Sequence, residues 1–301
     1  MSLRDRITAR LRKMGGPGLE RGDRHATVLS VASNKGGVGK TTTAVHLSLG
    51  FAEAGARVLL VDLDPQAHVS ASLGIEPPAG NGTVSEVLRG ALTDLAEASY
   101  PSGYEGLSLA GSEKDLSETE AMIAAKIGKE LLLASALEVA ATHFDLIVFD
   151  CPPNLGTLTL NALCASDALL IPCDMSVLAL EGVGDILTAV DTVRRRLQRQ
   201  VEVLGIVATR FDRRTRSVND TVVQSLGELY GDRILRTRIP LASAVTKAQM
   251  AGKPLGEFAP RSTAAQAYGE LVAELAPALA LERFVSARSD TPVKETAKAP
   301  A

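Results

Sequence analysis

Two lysines and three glycines lie together in one run of eight residues, Lys35-Gly-Gly-Val-Gly-Lys-Thr-Thr42. Glycines permit a tight turn whose backbone N–H groups can surround an anion, and a lysine adds positive charge. An apolar segment, residues 26–32, precedes the run, and a helical pattern from Thr43 to Ala54 follows it. A strand, a glycine-rich turn and a helix in this order predict a loop that binds phosphate groups.

The residue types in this loop suit different parts of phosphate chemistry. Lys40 supplies charge for the terminal phosphates, and the hydroxyl of Thr41 suits a magnesium ion. The strict pattern has glycine five residues before Gly39, where this chain has Asn34. Asparagine tolerates left-handed backbone, so this departure is compatible with the loop. The pattern therefore predicts a nucleotide site, and the second lysine, Lys35, is its unusual feature.

Acidic residues follow two other apolar segments. Asp62 and Asp64 come at the end of residues 57–61, and Asp150 comes at the end of residues 146–149. Ligands bind at the carboxyl ends of strands in open α/β sheets, so we expect these carboxylates to face the phosphate loop. An apolar strand that ends in aspartate also matches the carboxylate on the magnesium side of phosphate-loop NTPases.

The composition restricts the class of protein further. A chain of 301 residues, 46% of them hydrophobic, can bury a full core. We find no apolar run of membrane-spanning length and no signal peptide, so we expect a cytoplasmic protein without stable membrane insertion. The three cysteines lack CxxC spacing, which argues against a zinc or iron–sulfur centre. With a net charge of −3, any binding of nucleic acid requires a local basic surface.

The elements that must position these residues alternate along the chain. Near-continuous apolar strands separated by helical patterns predict an α/β fold, a doubly wound and mostly parallel sheet with helices on both faces, of the P-loop NTPase type. The predicted strands are 27–32, 57–62, 145–150, 168–172, 202–208 and 234–238, and the predicted helices are 41–54, 118–142, 157–165, 180–198, 218–229 and 264–281.

Both ends of the chain differ from this domain, which we place at residues 26–282. Residues 1–25 are rich in arginine and repeat apolar residues at helical spacing, which predicts a basic amphipathic extension. This extension suits a partly ordered tail, a helix that docks on a partner, or weak contact with a membrane surface. Residues 283–301 are rich in Ser, Thr, Pro, Lys and Ala and predict a disordered tail.

Three separated motifs carry a resemblance to a known family. They are NKGGVGKTTT at residues 34–43, VDLDPQ at residues 61–66 and DCPPNLG at residues 150–156. With these motifs in this order, the chain resembles the ParA/Soj partition ATPases of the deviant Walker A class, in the MinD/ParA superfamily. The resemblance covers about residues 26–282.

The resemblance implies a role for individual residues. Lys35 matches the signature lysine, which in the family reaches the nucleotide of the other subunit in an ATP-dependent homodimer, and Asp64 matches the residue that positions the attacking water. With Lys40 these are the expected catalytic residues, and Thr41 and Asp150 are the expected magnesium ligands. The expected nucleotide contacts are Lys35, Gly36, Gly37, Val38, Gly39, Lys40, Thr41, Thr42 and Pro240. Asp62 either senses the γ-phosphate or caps local N–H groups, and both alternatives stay open.

The function implied by the resemblance is an ATPase switch that uses ATP and Mg²⁺. Such a dimer binds nucleoid DNA non-specifically, is stimulated by a ParB-like or other activating partner, and positions a chromosome, a plasmid or a protein cluster. Leu241 and Val245 occupy positions where relatives commonly carry arginine. The candidate DNA contacts are therefore Arg194, Arg195, Arg210, Arg213, Arg214, Arg216, Arg238 and Lys247.

Other functions remain possible for the same motor residues. The first alternative is a MinD-like membrane-cycling ATPase, for which residues 283–301 lack an apolar stripe but residues 1–25 offer one. An iron–sulfur carrier would need paired cysteines, and a metabolic ligase would need insertions that bind its substrate. The motifs do not distinguish the cargo or the activating partner.

Overall fold

One sheet of eight strands organises the part of the chain that the structure, a computed structural model, describes: residues 26–212, 214 and 216–289. The strands are β1 (Thr27–Val31), β2 (Val58–Asp62), β3 (Ser99–Pro101), β4 (Leu107–Ala110), β5 (Leu146–Asp150), β6 (Ala168–Asp174), β7 (Glu202–Phe211) and β8 (Ile234–Pro240). Their order is β3-β4-β2-β5-β1-β6-β7-β8, and every neighbouring pair is parallel except β3 with β4. The predicted fold class is confirmed.

Helices cover both faces of this sheet, so the central strands are apolar on both sides. All five residues of β2 and all five of β5 are buried. The helices are α1 (Lys40–Glu53), α2 (His68–Leu73), α3 (Val84–Arg89), α4 (Leu95–Ala98), α5 (Leu116–Ile123), α6 (Leu132–Ser135), α7 (Ala140–His143), α8 (Thr157–Ala165), α9 (Val177–Arg196), α10 (Arg216–Tyr230), α11 (Ser243–Met250), α12 (Leu255–Phe258), α13 (Thr263–Leu275) and α14 (Glu282–Ser289), with 3₁₀ turns at Lys129–Leu131 and Gly231–Arg233. Two hydrophobic clusters, one on each side of the sheet, form the core.

Some predicted elements were wrong. The helix predicted over residues 118–142 is divided into α5, a 3₁₀ turn, α6 and α7, and Gly128 at φ 72° interrupts it with left-handed backbone. The strands β3 and β4 were not predicted, because three or four residues give too short a periodic pattern. Both lie at the edge of the sheet, where they extend it beyond β2.

The predicted disordered tail is also wrong in its first residues, because α14 occupies Glu282–Ser289. Composition alone suggested disorder there, but two side chains tie this helix to the domain. Arg283 contacts the carboxylate of Asp145 at 3.4 Å, and Phe284 packs against the hydrophobic core. The remaining residues of that tail, 290–301, lie outside the described residues, as does the predicted extension at 1–25.

Candidate functional site

The phosphate loop lies between β1 and α1, as its sequence predicts. Gly37 and Gly39 adopt left-handed backbone, with φ 74° and 85°, which a glycine adopts at no steric cost. Gly39 is the N-cap of α1, so the first N–H groups of that helix open toward the loop. Lys40 is buried, and burial lowers its pKa, while the nearby carboxylate of Asp150 opposes that shift. The loop and the helix dipole together form an anion site.

Three carbonyl groups of this loop accept hydrogen bonds from side chains. Lys40 Nζ donates to the Lys35 carbonyl at 2.8 Å. The Thr209 hydroxyl donates to the Val38 carbonyl at 2.8 Å, and Arg210 Nη1 donates to the Gly37 carbonyl at 3.3 Å. These bonds fix the orientation of three peptide groups in a loop that would bind phosphate through its N–H groups.

Two aspartates lie side by side at the carboxyl edge of the sheet. Asp62 and Asp150 are register partners on β2 and β5, and both are buried. Neither carboxylate oxygen of Asp150 accepts a well-formed hydrogen bond from any of the described residues. Burial raises the pKa of both groups, and the negative charge of Asp62 adds to the rise at Asp150. An unpaired buried carboxylate next to the Thr41 hydroxyl fits a hard cation such as Mg²⁺.

Asp62 supports the loop that carries Asp64. Its Oδ1 accepts from the backbone N–H of Asp64 at 2.9 Å, and its Oδ2 accepts from Val69 at 3.1 Å. Both oxygens therefore cap local N–H groups, which is the structural alternative named for this residue. Asp64 in turn accepts from the backbone N–H of Gln66 at 3.0 Å. Ala67 has left-handed backbone at φ 52°, a conformation disfavoured for a residue with a Cβ.

Lys35 does not face the nucleotide cavity of its own chain. Its Nζ lies 2.9 and 2.8 Å from the two carboxylate oxygens of Asp174, and 2.7 Å from the hydroxyl of Ser176. The neighbouring Asn34 donates to Asp185 on α9 at 2.8 Å. The first part of the loop is thus bound to β6 and α9, and Lys35 is not among the residues that line the nucleotide cavity.

A cavity of about 580 Å³ opens above the loop. The predicted residues that line it are Gly36, Gly37, Gly39, Lys40, Thr41, Thr42, Asp64 and Pro240. Val38 is buried beneath the loop, and Lys35 and Asp150 lie outside the lining. Residues from α2 and α11 complete the walls, so the structure brings most of the predicted nucleotide contacts to one cavity.

Three residues that support this site were missed by sequence reasoning: His46, Gln249 and Tyr268. Leu255 N–H donates to His46 Nε2 at 3.2 Å, so Nδ1 carries the proton and donates to the Thr42 carbonyl at 2.7 Å. The imidazole stacks on Tyr268 at 4.6 Å between ring centroids, and burial lowers its pKa to about 4. Gln249 donates to the Thr42 hydroxyl at 3.1 Å.

A sequence signal existed for only one of the three. His46 lies four residues after Thr42, on the same face of α1. Gln249 and Tyr268 are more than 200 residues from Thr42 along the chain, and only the fold brings them to it.

The candidate DNA contacts do not form one surface. Arg194 and Arg195 lie in the last turn of α9, which ends beside Val201 at the amino end of β7. Arg210, Arg214, Arg238 and Lys247 belong to the carboxyl end of the sheet, about 30 Å away by the length of α9. Arg213 lies outside the described residues, and for Arg216 the structure describes the backbone alone.

Most of these arginines have local partners. Arg194 donates to the carbonyl of Val201 at 2.6 Å, and Arg195 pairs with Asp191 at 3.4 Å. Arg214 pairs with Asp212 at 2.8 Å, and Arg238 lies 5.1 Å from the ring centre of Phe211. In contrast, Arg210 contacts the phosphate loop itself. The candidate residues therefore do not form one basic surface within a single chain, and their contact with DNA stays a prediction.

The comparisons with known proteins agree with this geometry. A family model described as an AAA domain matches residues 26–203. The sporulation initiation inhibitor protein Soj of Bacillus subtilis is 35% identical over 249 residues, which cover 83% of this chain and 98% of Soj. The chromosome partitioning protein ParA of Caulobacter vibrioides is 34% identical over 250 residues, which cover 82% of this chain and 93% of ParA.

A solved structure resembles the whole domain. The structure of cobyrinic acid a,c-diamide synthase from Mycobacterium smegmatis with bound ATP analog and magnesium has a TM-score of 0.72 and 35% identity, over 82% of this chain and 92% of that one. The site and these similarities define the class: a P-loop NTPase of the MinD/ParA superfamily. The chain belongs to the AAA-domain family that includes the ParA and Soj partition ATPases. Within the described residues, no helix has the length and apolar content needed to cross a bilayer.

Proposed function

We propose that this protein is an ATP-dependent dimerising switch that positions or segregates a cargo. The observation that carries the dimer is the position of Lys35, whose ammonium contacts Asp174 and Ser176 instead of its own cavity. A long cationic side chain outside its own site is available to another site. In a sandwich of two chains, Lys35 would leave Asp174 and stabilise the charge that develops on the γ-phosphate of the second nucleotide.

The other proposed roles follow from the arrangement of the cavity. Lys40 and the N–H groups of the loop would hold the β- and γ-phosphates, and Asp64 would orient the attacking water. Thr41 and Asp150 would hold a magnesium ion, which when bound neutralises charge on the phosphates. Pro240 and Thr42 line the same cavity, where Thr42 would donate to phosphate and Pro240 would contact the nucleotide.

We propose that the ATP-bound dimer binds DNA non-specifically. Its relatives Soj and ParA, as their names state, act in sporulation control and chromosome partitioning. Non-specific duplex binding needs several cations that neutralise phosphates, and dimerisation would add the arginines of a second chain. A ParB-like activating protein would then stimulate hydrolysis and release the dimer from the nucleoid.

A second candidate is a MinD-like ATPase that cycles on a membrane or on a protein surface. Two large apolar side chains support it. Leu241, where the family resemblance leads us to expect arginine, is 50% exposed, and Met250, at the end of α11, is 84% exposed. An apolar exposed stretch suits a lipid or protein surface better than a phosphate backbone.

Binding of duplex DNA with ATP, ADP and no nucleotide, measured across a salt series, tests the proposal. We expect binding that is selective for ATP and weakens steeply as salt increases. Sedimentation with anionic liposomes under the same three conditions is the matched measurement. Binding to liposomes without binding to DNA at low salt would favour the second candidate.

A further inference from the structure

Arg210 combines two features that set it apart from the other candidate DNA contacts. Its guanidinium donates to the carbonyl of Gly37 in the phosphate loop. Its backbone is left-handed, at φ 53°, although it is neither glycine nor asparagine. Such a conformation costs energy in a residue with a Cβ and persists where the surrounding structure or a function requires it.

The left-handed backbone explains how two consecutive residues reach the same loop. Successive side chains of a strand point to opposite faces of the sheet. Thr209 and Arg210 are consecutive in β7, yet they donate to the carbonyls of Val38 and Gly37. The β7–β8 register also shifts between Ala208 and Phe211. The irregular backbone at the end of β7 therefore directs the Arg210 side chain toward the nucleotide cavity, which it lines.

Folding stability does not account for this arrangement. Arg210 is exposed, and an exposed hydrogen bond contributes little to stability because water competes for both groups. Gly37, the residue that accepts this bond, is exposed as well. What the bond does change is the orientation of one peptide group in a loop that must present its N–H groups to phosphate.

We infer that Arg210 is a positioning residue of the nucleotide site and not a DNA contact. It fixes the middle one of the three loop carbonyls held by Lys40, Arg210 and Thr209, and so keeps the loop in the form that receives phosphate. This inference deepens the proposed function, on whose nucleotide binding it rests. Since the loop holds phosphates that ATP and ADP share, the residue supports the binding of both.

Titration of fluorescent ATP and ADP analogues against four proteins tests the inference: the wild type, Arg210→Ala, Arg210→Lys and Arg210→Gly. We expect Arg210→Ala to weaken ATP and ADP equally, by roughly three- to tenfold. Arg210→Lys should recover part of the loss, because an ammonium can still donate to the Gly37 carbonyl. In hydrolysis assays the loss should appear in KM more than in kcat.

The glycine variant separates positioning from a structural role. Glycine adopts left-handed backbone without strain, so Arg210→Gly should melt at a higher temperature than Arg210→Ala. It lacks the guanidinium, so it should bind nucleotide as weakly as the alanine variant. Arg261→Ala removes an exposed arginine from the loop before α13 and is the control, with unchanged nucleotide affinity.

Three results would overturn the inference. Unchanged nucleotide affinity with weaker DNA binding in Arg210→Ala would make Arg210 a DNA contact. A loss confined to ATP would make it a contact of the γ-phosphate. A wild-type chain that binds neither nucleotide would overturn both this inference and the proposed function, whereas a wild type that binds nucleotide but not DNA would overturn the DNA-binding proposal alone.

Discussion

The charged side chains of the nucleotide site and those of the arginine-bearing surface differ in their burial and in their partners. At the nucleotide site, Lys40, Asp62 and Asp150 are buried, and Asp150 lacks a regular hydrogen-bond partner among the described residues. On the surface, Arg195 and Arg214 are exposed, and each pairs with an aspartate on its own element or turn. A buried unpaired charge is costly to maintain and implies a ligand, whereas an exposed pair costs little and implies nothing about a partner.

This difference shows which part of the proposal the structure supports most strongly. The nucleotide site has a physical reason to bind a cation, because the carboxylate oxygens of Asp150 are buried without a well-formed hydrogen bond, and the N–H groups at the start of α1 give it a reason to bind an anion. The arginines instead have local partners of other types, such as Asp191 for Arg195 and Asp212 for Arg214, and they lie at two ends of the sheet. DNA binding therefore depends on how a dimer arranges these residues.

The largest expected effect comes from removing the buried lysine. Lys40→Ala should weaken ATP binding by roughly a hundredfold, because a charged group that donates to phosphate is lost from a desolvated site. Isothermal titration of ATP with magnesium measures the change. A thermal melt of the variant without nucleotide serves as the folding control. Affinity within a few-fold of wild type would contradict the role of this residue.

Asp150→Asn should separate stability from activity. Hydrolysis should fall on the order of a hundredfold, since a magnesium ligand is lost. Without nucleotide, the free energy of unfolding of the variant should exceed that of wild type by about 1–3 kcal/mol, because the variant no longer buries an unpaired charge. Burial raises the pKa of Asp150. The destabilising effect of this carboxylate is therefore absent at acid pH and grows as the pH rises past the ordinary pKa of aspartate.

Denaturant unfolding of both proteins between pH 5 and pH 8 checks this second prediction. The advantage of Asp150→Asn should be largest at pH 8 and should shrink as the pH is lowered. An asparagine variant that is less stable than wild type at pH 8 would show that Asp150 has a stabilising partner.

A smaller effect is expected at Glu274, which represents the opposite case, a carboxylate that is fully paired. It accepts from the backbone N–H groups of Arg236 and Thr237, at 2.8 and 2.9 Å, on the edge strand β8. Burial alone would raise its pKa, but the bonds from Thr237 and Arg236 outweigh burial and lower it. Its stabilising effect is therefore present above the ordinary pKa of glutamate and is lost as pH falls through the lowered value.

Glu274→Gln should lower the free energy of unfolding by about 1–3 kcal/mol at pH 7. Glu270→Gln, at an exposed position one turn earlier on α13, is the matched control and should change it little. Denaturant melts at pH 7 measure both variants. Equal stability of the two variants would show that the bonds to β8 contribute nothing.

The smallest effect should come from releasing a surface arginine. Asp191→Asn removes the partner of Arg195, whose side chain is 80% exposed. If Arg195 contacts DNA, the ATP-bound Asp191→Asn variant should bind duplex DNA about two- to threefold more tightly than wild type. The reason is that an aspartate no longer competes with the DNA phosphates for the guanidinium. Arg195→Ala should weaken binding and reduce the salt slope by about one. No change in either variant would remove this end of α9 from the DNA surface.

The sequence was sufficient for the loop and for the order of the central elements. Lys35–Thr42 and the strands that end at Asp62 and Asp150 are local patterns, and parallel strands bring their carboxyl ends together. The support from Gln249 and Tyr268 could not be predicted, because it joins segments more than 200 residues apart. Arg210 was assigned to DNA because its charge is visible in the sequence and its left-handed backbone is not.

The central claim is that ATP joins two chains so that each Lys35 can serve the other site. Light scattering with size exclusion tests it most directly, on wild type and on Asp64→Ala, with magnesium and either ATP or ADP. The claim predicts the mass of one chain with ADP and of two chains with ATP, with a longer-lived dimer in Asp64→Ala. Lys35→Ala should bind ATP yet fail to hydrolyse it. The mass of a single chain under every condition, with ATP bound, would contradict the claim.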